Sequence, residues 1–347
     1  MNFVPLGLYL VAFVFFVNSE YLFLRCLKKK NKMKILGTGS SLPQYELTND
    51  MLSDMMDTSD EWIRTRTGIR SRRILTTETI TDLAVDAAKK CITQSNIPTS
   101  EIDYILCHII IPDMTTPSLA SVINKELNCT CPTLDLNAAC TGFIYALDVA
   151  DSLIKAGKAK KVLIVCAEKP THFVDWNKRE TCVLFGDAAG AVIVGQGGDE
   201  CYFKLSTHPT DALACKRIST PSPFYQDKEE VYPYLEMRGR DVFRLAVHNS
   251  FEDIKSVVDE AGVTFSDVKY YLLHQANVRI LEAIRNELNL QEECFPHNIE
   301  CRGNTSSASI PLLMDEMNQS NKFSKGDTLV LSAFGAGFTS GACLLKW

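Results

Sequence analysis

The chain has 347 residues, 46% of them hydrophobic and 22% charged, with a formal net charge of −6. That balance excludes a disordered polymer and supplies no cationic excess to attract nucleic acid, so no nucleic-acid partner is expected. The 13 cysteines are an odd number and many lie in apolar runs, which argues against a disulfide framework.

Residues 1–32 read as a leader. Phe3 to Val17 is an apolar run, short for a membrane span and suited to a signal h-region, and Lys28-Lys-Lys-Asn-Lys32 follows as a basic segment. The charged n-region of a signal peptide is missing. A secretory route combined with reduced thiols points to a reducing organelle, so the expected location is a plastid of the apicoplast type, reached through a cleaved leader. A membrane anchor or a cytoplasmic location is the alternative, and no stable membrane insertion of the mature protein is expected. The roughly 315 residues that remain are ample for a large core. Helical patterns over Thr81–Ile92 and Val242–Ala261 alternate with apolar strands over Ile102–Ile111 and Lys161–Ala167, the pattern of a layered α/β fold.

Pro132-Thr-Leu-Asp-Leu136 alternates as a half-buried strand and leads into Asn137-Ala-Ala-Cys140-Thr-Gly-Phe143. Phe143, Leu147, Ala150 and Ile154 then recur at helical spacing, with Gly157 as the stop. Cys140 is thereby expected at a helix N-terminus, where the dipole favours thiolate. Lowering a thiol from about 8.5 to about 7 takes roughly 2 kcal/mol, the most a helix end supplies, so a further partner is required. The competing reading of Cys140 is a small buried hydrophobe.

Phe185-Gly-Asp-Ala-Ala-Gly190 opens an apolar strand but lacks the spacing of a dinucleotide loop. The polar stretch from His208 to Pro233 reads as a loop over an entrance. Tyr270-Tyr-Leu-Leu273 reads as a buried strand that ends at His274-Gln-Ala-Asn277 and feeds the helix Arg279–Leu288. Gly303-Asn304-Thr-Ser-Ser-Ala-Ser309 is rich in turn residues, and Asn304 offers two amide donors without charge. His274 and Asn304 each have an ordinary structural reading, as a core imidazole and an N-cap. With Cys140 they form a nucleophile, a proton-handling ring and a neutral donor. Cys294, His297 and Cys301 have ligand-like spacing but no fourth ligand, and Cys129 and Cys131 are too close, so no metal is expected.

Six ordered motifs carry a family resemblance: Thr58-Ser-Asp-Glu-Trp-Ile-Arg-Thr-Arg-Thr-Gly-Ile69, the Cys140 turn, Phe185–Gly190, His274–Asn277, Gly303-Asn304-Thr-Ser, and Phe334-Gly-Ala-Gly337. From Met33 to Trp347 the chain closely resembles β-ketoacyl-acyl carrier protein synthase III of the thiolase-like superfamily. The resemblance implies duplicated α/β halves in a layered α-β-α-β-α sandwich, the first over 33–200 with the nucleophile and the second over 201–347 with the His and Asn.

It implies further that Cys140, His274 and Asn304 form a Cys-His-Asn triad, with Asn304 in place of the second His of elongating synthases. The reaction implied is a decarboxylative condensation of acetyl-CoA, or another short acyl-CoA, with malonyl-acyl carrier protein. No cofactor is needed. The oxyanion hole would use the backbone N–H groups of Cys140 and Ala336, the latter often Gly in the family. Thr58, Trp62, Arg66 and Arg179 match coenzyme A contacts, with Trp62 and Arg179 on the adenine. Arg244 and Arg279 match positions implicated in docking acyl carrier protein, while Lys216 and Arg217 are weaker candidates. The family is dimeric, so a homodimer is expected. A polyketide-type or 3-hydroxy-3-methylglutaryl-type synthase shares fold and triad, and a retired acyl carrier protein-binding scaffold is the non-enzymatic alternative. A papain-like hydrolase has the same residue order but a different local motif around its Cys.

Overall fold

A computed structural model describes residues 32–216, 223–224 and 232–347. The leader up to residue 31, Arg217, and half of the expected entrance loop lie outside the described residues.

The first half opens with β1 (Met33–Ser41), followed by a ribbon of β2 (Tyr45–Thr48) and β3 (Ser71–Ile74) that encloses helix α1 (Asp60–Thr67). Helix α2 (Ile80–Ser95) is longer than its apolar pattern predicts. A capping box between Thr79 and Asp82 starts it, and Asn96, at φ 54°, ends it. After it come β4 (Tyr104–His108), α3 (Leu119–Glu126), β5 (Thr133–Leu136), α4 (Gly142–Lys155), β6 (Lys161–Glu168) and β7 (Ala188–Gln196). The strand expected over Ile102–Ile111 is shorter because its parallel pairing with β5 and β6 ends at His108. The sheet order is β1-β7-β6-β4-β5, which leaves β5 at an edge.

The second half holds β8 (Tyr202–Thr210), the small ribbon β9 (Leu213–Cys215) with β10 (Leu235–Met237), α5 (Gly239–Ala261), β11 (Tyr270–Leu273), α6 (Val278–Leu288), α7 (Ser309–Gln319), β12 (Thr328–Gly335) and β13 (Gly337–Lys346). Its sheet order is β11-β12-β13-β8. The expected entrance loop is thus partly strand, since its first residues finish β8 and form β9. Alternation in polarity was too weak there to reveal a ribbon whose partner lies beyond residue 234.

Burial explains the layering. Phe143, Leu147 and Ile154 of α4 and Leu312 and Met314 of α7 share one core with Leu106 and Val192 of the first sheet and Leu329 and Leu331 of the second. The two helices therefore form a middle layer between the sheets. Leu83 and Ala87 of α2 and Ile123 of α3 cover the far face of the first sheet through Ile105, Leu163 and Ile193. Val257 of α5 and Ile284 of α6 cover the second through Tyr271, Val330 and Leu344. Strands covered on both faces read as continuous apolar runs, as β6 and β12 do. Both middle-layer helices begin beside the same cavity, α4 after Cys140 and α7 after Asn304.

Candidate active site

The Cys140 turn is built from local chemistry. Asn137 Oδ1 accepts from the Ala139 N–H at 3.1 Å, and Ala139 takes up a left-handed backbone at φ 49°. One short helical turn over Ala139–Thr141 then delivers the chain into α4. Gly335, at the end of β12, packs so close that a Cβ there would lie 2.6 Å from the Cys140 nitrogen, so only glycine admits the approach. Thr339 of β13 clamps the arrangement. Its hydroxyl meets the Ala138 and Ala336 carbonyls, both at 3.2 Å, and lies 2.9 Å from Thr141 Oγ1.

His274 follows β11 and is 2% exposed. The Gln275 N–H donates to Ser309 Oγ at 3.3 Å, and the same oxygen lies 2.8 Å from His274 Nδ1, which fixes the ring's orientation. Phe334 closes one side of the ring, edge-on at 5.3 Å between centroids. Burial lowers the His274 pKa to about 3, with the Ser306 carbonyl acting weakly the other way, so the imidazole is neutral throughout the working range.

Asn304 is held by the Phe185 loop, donating its N–H to the Leu184 carbonyl at 2.8 Å and accepting from the Gly186 N–H at 3.1 Å. Its Oδ1 accepts from the Ser306 N–H at 2.9 Å, which turns the amide nitrogen toward the cavity. Ser306 Oγ in turn donates to Cys140 Sγ at 3.3 Å. Cys140, His274, Asn304, Ser306 and Ala336 all line one cavity of about 930 Å³. Ala336 is not among the residues with left-handed φ, so alanine serves at this position without strain.

The protonation of Cys140 departs from expectation. Burial pushes its thiol up to about 12, the Glu168 carboxylate pushes the same way, and the Ser306 hydroxyl only partly opposes them. The sequence pattern exposes the helix end but not the desolvation that distant segments impose. The resting group is a thiol.

Among the coenzyme A candidates, Trp62 and Arg66 line the cavity mouth. The guanidinium carbon of Arg66 lies 4.5 Å from the indole centroid and that of Arg179 lies 4.8 Å from it. A separation of 4.8 Å leaves no room for a third plane, so a base entering between Trp62 and Arg179 must first displace the guanidinium. Arg179 is also bound to the Asp57 carbonyl. Thr58 Oγ1 is buried without a partner, as suits a group awaiting a ligand. Arg179→Ala is expected to raise KM for acyl-CoA about 10-fold with kcat unchanged, measured by steady-state kinetics. Arg279 lines the cavity and donates to the Thr65 carbonyl at 2.8 Å, whereas Arg244 and Lys216 stand exposed next to the lining residues Phe243 and Cys215 without lining the cavity themselves. Cys294, His297 and Cys301 form no ligand cluster among the described residues, and His297 pairs instead with Glu300 at 2.8 Å.

Sequence reasoning missed Ser306, Ser309 and Thr339, which orient the site, and also His108 and Glu168 beneath it. For His108 the signal was present, because it closes an apolar strand just as His274 does.

Two interlocked α/β halves that share a middle layer of helices, with one cavity where the strands of both end, define a condensing enzyme of the thiolase-like class. Models of the family "3-oxoacyl-[acyl-carrier-protein] synthase III" match residues 134–209, and its C-terminal model matches residues 258–347. The chain is 42% identical over 326 residues to the β-ketoacyl-[acyl-carrier-protein] synthase III of Clostridium acetobutylicum, covering 91% of this chain and 99% of that one. It is 43% identical over 315 residues to the corresponding protein of Aquifex aeolicus, covering 90% and 99%. The crystal structure of the Aquifex synthase superposes with a TM-score of 0.85 at 41% identity, covering 91% of this chain and all of that one. The chain belongs to the β-ketoacyl-[acyl-carrier-protein] synthase III family. It is an acyltransferase, an initiating condensing enzyme of fatty acid synthesis that works without a resident cofactor.

These comparisons correct the expected location. The matching relatives come from Clostridium, Aquifex and Xanthomonas, bacteria that have no plastid, so assignment to an apicoplast-type organelle is overturned.

Proposed function

We propose that Cys140 accepts the acyl group of a short acyl-CoA, acetyl-CoA being the expected primer, and that His274 and Asn304 stabilise the enolate formed when malonyl-acyl carrier protein loses CO2. The observation that carries this reading is the convergence of one thiol and two uncharged donors on a single cavity floor. In the first step the Cys140 sulfur attacks the thioester carbonyl, the bond to the CoA sulfur breaks, and the thiol proton ends on the departing CoA. The tetrahedral oxyanion faces the backbone N–H groups of Cys140 and Ala336. In the second step the C–CO2 bond of the malonyl group breaks and its electrons move onto the thioester oxygen, which meets His274 Nε2–H and the Asn304 amide. The carbanion then attacks the acyl carbon, Cys140 leaves as the thiolate, and one proton taken up from solvent restores the thiol. A carboxylate at either donor position would repel that enolate.

Arg279 at the mouth and exposed Arg244 are the proposed contacts for acyl carrier protein, whose acidic surface meets a chain that is itself net negative. We read 33–200 and 201–347 as the two halves, interlocked by α4 and α7. A homodimer through the free edge of β5 accounts for Leu134, a large apolar side chain 43% exposed on that edge strand. Leu134→Glu is expected to shift the protein from dimer to monomer by analytical ultracentrifugation.

Intact-mass analysis after mixing with acetyl-CoA tests the central reading. A gain of one acetyl group, mapped to Cys140, supports it; no adduct with any short acyl-CoA overturns it.

A further inference from the structure

Behind the Cys140 turn lies a second polar cluster that the steps above leave unused. His108 closes β4, Glu168 closes β6, and Ser307 follows the Asn304 turn; they are 0%, 0% and 1% exposed. Glu168 Oε1 accepts from Ser307 Oγ at 2.6 Å and lies 3.0 Å from His108 Nδ1, which is itself 2.8 Å from Ser307 Oγ. Glu168 Oε2 accepts from the Ile110 N–H at 3.4 Å. On the far side of the ring, the Ala138 N–H donates to His108 Nε2 at 3.0 Å.

That last bond decides the state of the ring. An Nε2 that accepts carries no hydrogen, so the imidazole is neutral and its hydrogen sits on Nδ1, facing the carboxylate. Glu168 therefore has hydrogen-bond donors but no cation, and among the described residues no Lys or Arg pairs with it. An uncompensated carboxylate in such a place is costly, and apolar side chains would fill the same volume without that cost.

The connections of the cluster suggest why it is there. Ala138 sits two residues before Cys140 and adjoins the left-handed Ala139. Ser307 adjoins Ser306, whose hydroxyl reaches Cys140 Sγ and whose N–H orients Asn304. The first turn of α4 rests on the imidazole so tightly that a Cβ on Gly142 would fall 1.8 Å from His108 Cδ2.

We propose that His108, Glu168 and Ser307 are positioning residues for acyl transfer: they lock the Cys140 turn to the Asn304 turn, with Glu168 as the charged member of the lock. This rests on the reading of Cys140 as nucleophile and Asn304 as donor. The direction of the charge effect agrees, since Glu168 opposes the thiolate. The groups facing Cys140 are His274 and the uncharged Ser306 and Asn304 from the second half, with Glu168 and His108 behind it. Glu168 also faces Cys107 and Cys166, both pushed toward the thiol form by burial. Of the titratable groups around Cys140, Glu168 is the carboxylate.

The test uses Glu168→Gln, which keeps shape and removes charge, in the full-length protein. The rate of iodoacetamide alkylation at Cys140, followed by peptide mass at one fixed pH, is expected to rise, because the charge that opposes the thiolate is gone. CoA affinity, measured by calorimetry, stays at the parental value and shows that the fold is retained. His108→Ala is expected to slow acylation by acetyl-CoA about 10-fold or more, and His108→Gln, whose carbonyl can accept from the Ala138 N–H, to recover most of it. An unchanged alkylation rate in Glu168→Gln together with parental acylation in His108→Ala overturns the proposal. Should Glu168→Gln not fold, Ser307→Ala takes its place: slowed acylation supports the lock, and parental acylation in both remaining variants overturns it. If the unsubstituted protein takes no acyl group on Cys140, the nucleophile assignment itself has failed, a result distinct from parental behaviour in the variants.

Discussion

Cys140→Ala is expected to abolish condensation, with a loss of at least about 10⁴-fold in kcat, while malonyl thioester decarboxylation persists. No other thiol takes over. Of the other cysteines described, only Cys215 lines the same cavity, and it stands on β9 near the mouth, with its sulfur directed to the Pro233 and Lys216 carbonyls. The donors that meet the enolate lie elsewhere, on the turns after β11 and before α7, and alanine at 140 leaves their hydrogen bonds to Ser309 and Ser306 untouched. Radiolabelled CO2 release measured beside product formation separates the two steps. Loss of both activities to the same degree would refute the division of labour.

The complementary result is expected at the donors. Asn304→Ala and His274→Ala should each lower decarboxylation by about 10² to 10³-fold, the usual loss when one preorganised oxyanion donor is removed. Acylation by acetyl-CoA should survive in Asn304→Ala, because Cys140 and the paired backbone N–H groups remain. Asn304→Asp should be at least as damaging as alanine, since it places negative charge where the enolate forms. The pH profile gives a further check. A ring whose pKa is depressed to about 3 stays neutral through the physiological range, so decarboxylation should show no inflection from His274 between pH 5 and 8. A bell-shaped profile centred near an ordinary imidazole pKa, lost in His274→Ala, would contradict the buried neutral donor. CO2 release across that range decides the matter.

Legibility in the sequence followed locality. The Cys140 turn was visible because a strand pattern, a cluster of small residues and a helical repeat meet within about twenty residues. His274 was visible as a polar group ending an apolar run, and Asn304 as a turn residue before serines. All three depend on near neighbours. The charge state of Cys140 was not legible there, because burial by the fold, the Ser306 hydroxyl and the Glu168 carboxylate set it, and no local window contains them. The same limit hid Thr339, a threonine in an ordinary strand until β13 folds against the Ala138 turn. Helix ends were sharper than expected where capping residues supplied them, as Thr79 and Asn96 do for α2, and strand ends blurred where pairing partners set them. The ribbon of β9 and β10 went unseen because its two short arms flank a long polar stretch.

The Thr339 clamp also orders events in time. Thr339, which braces the Cys140 turn, belongs to β13 in the other half of the molecule, so the reaction centre is finished only once the two halves have folded against each other. Competence for acyl transfer therefore cannot precede the docking of one half on the other.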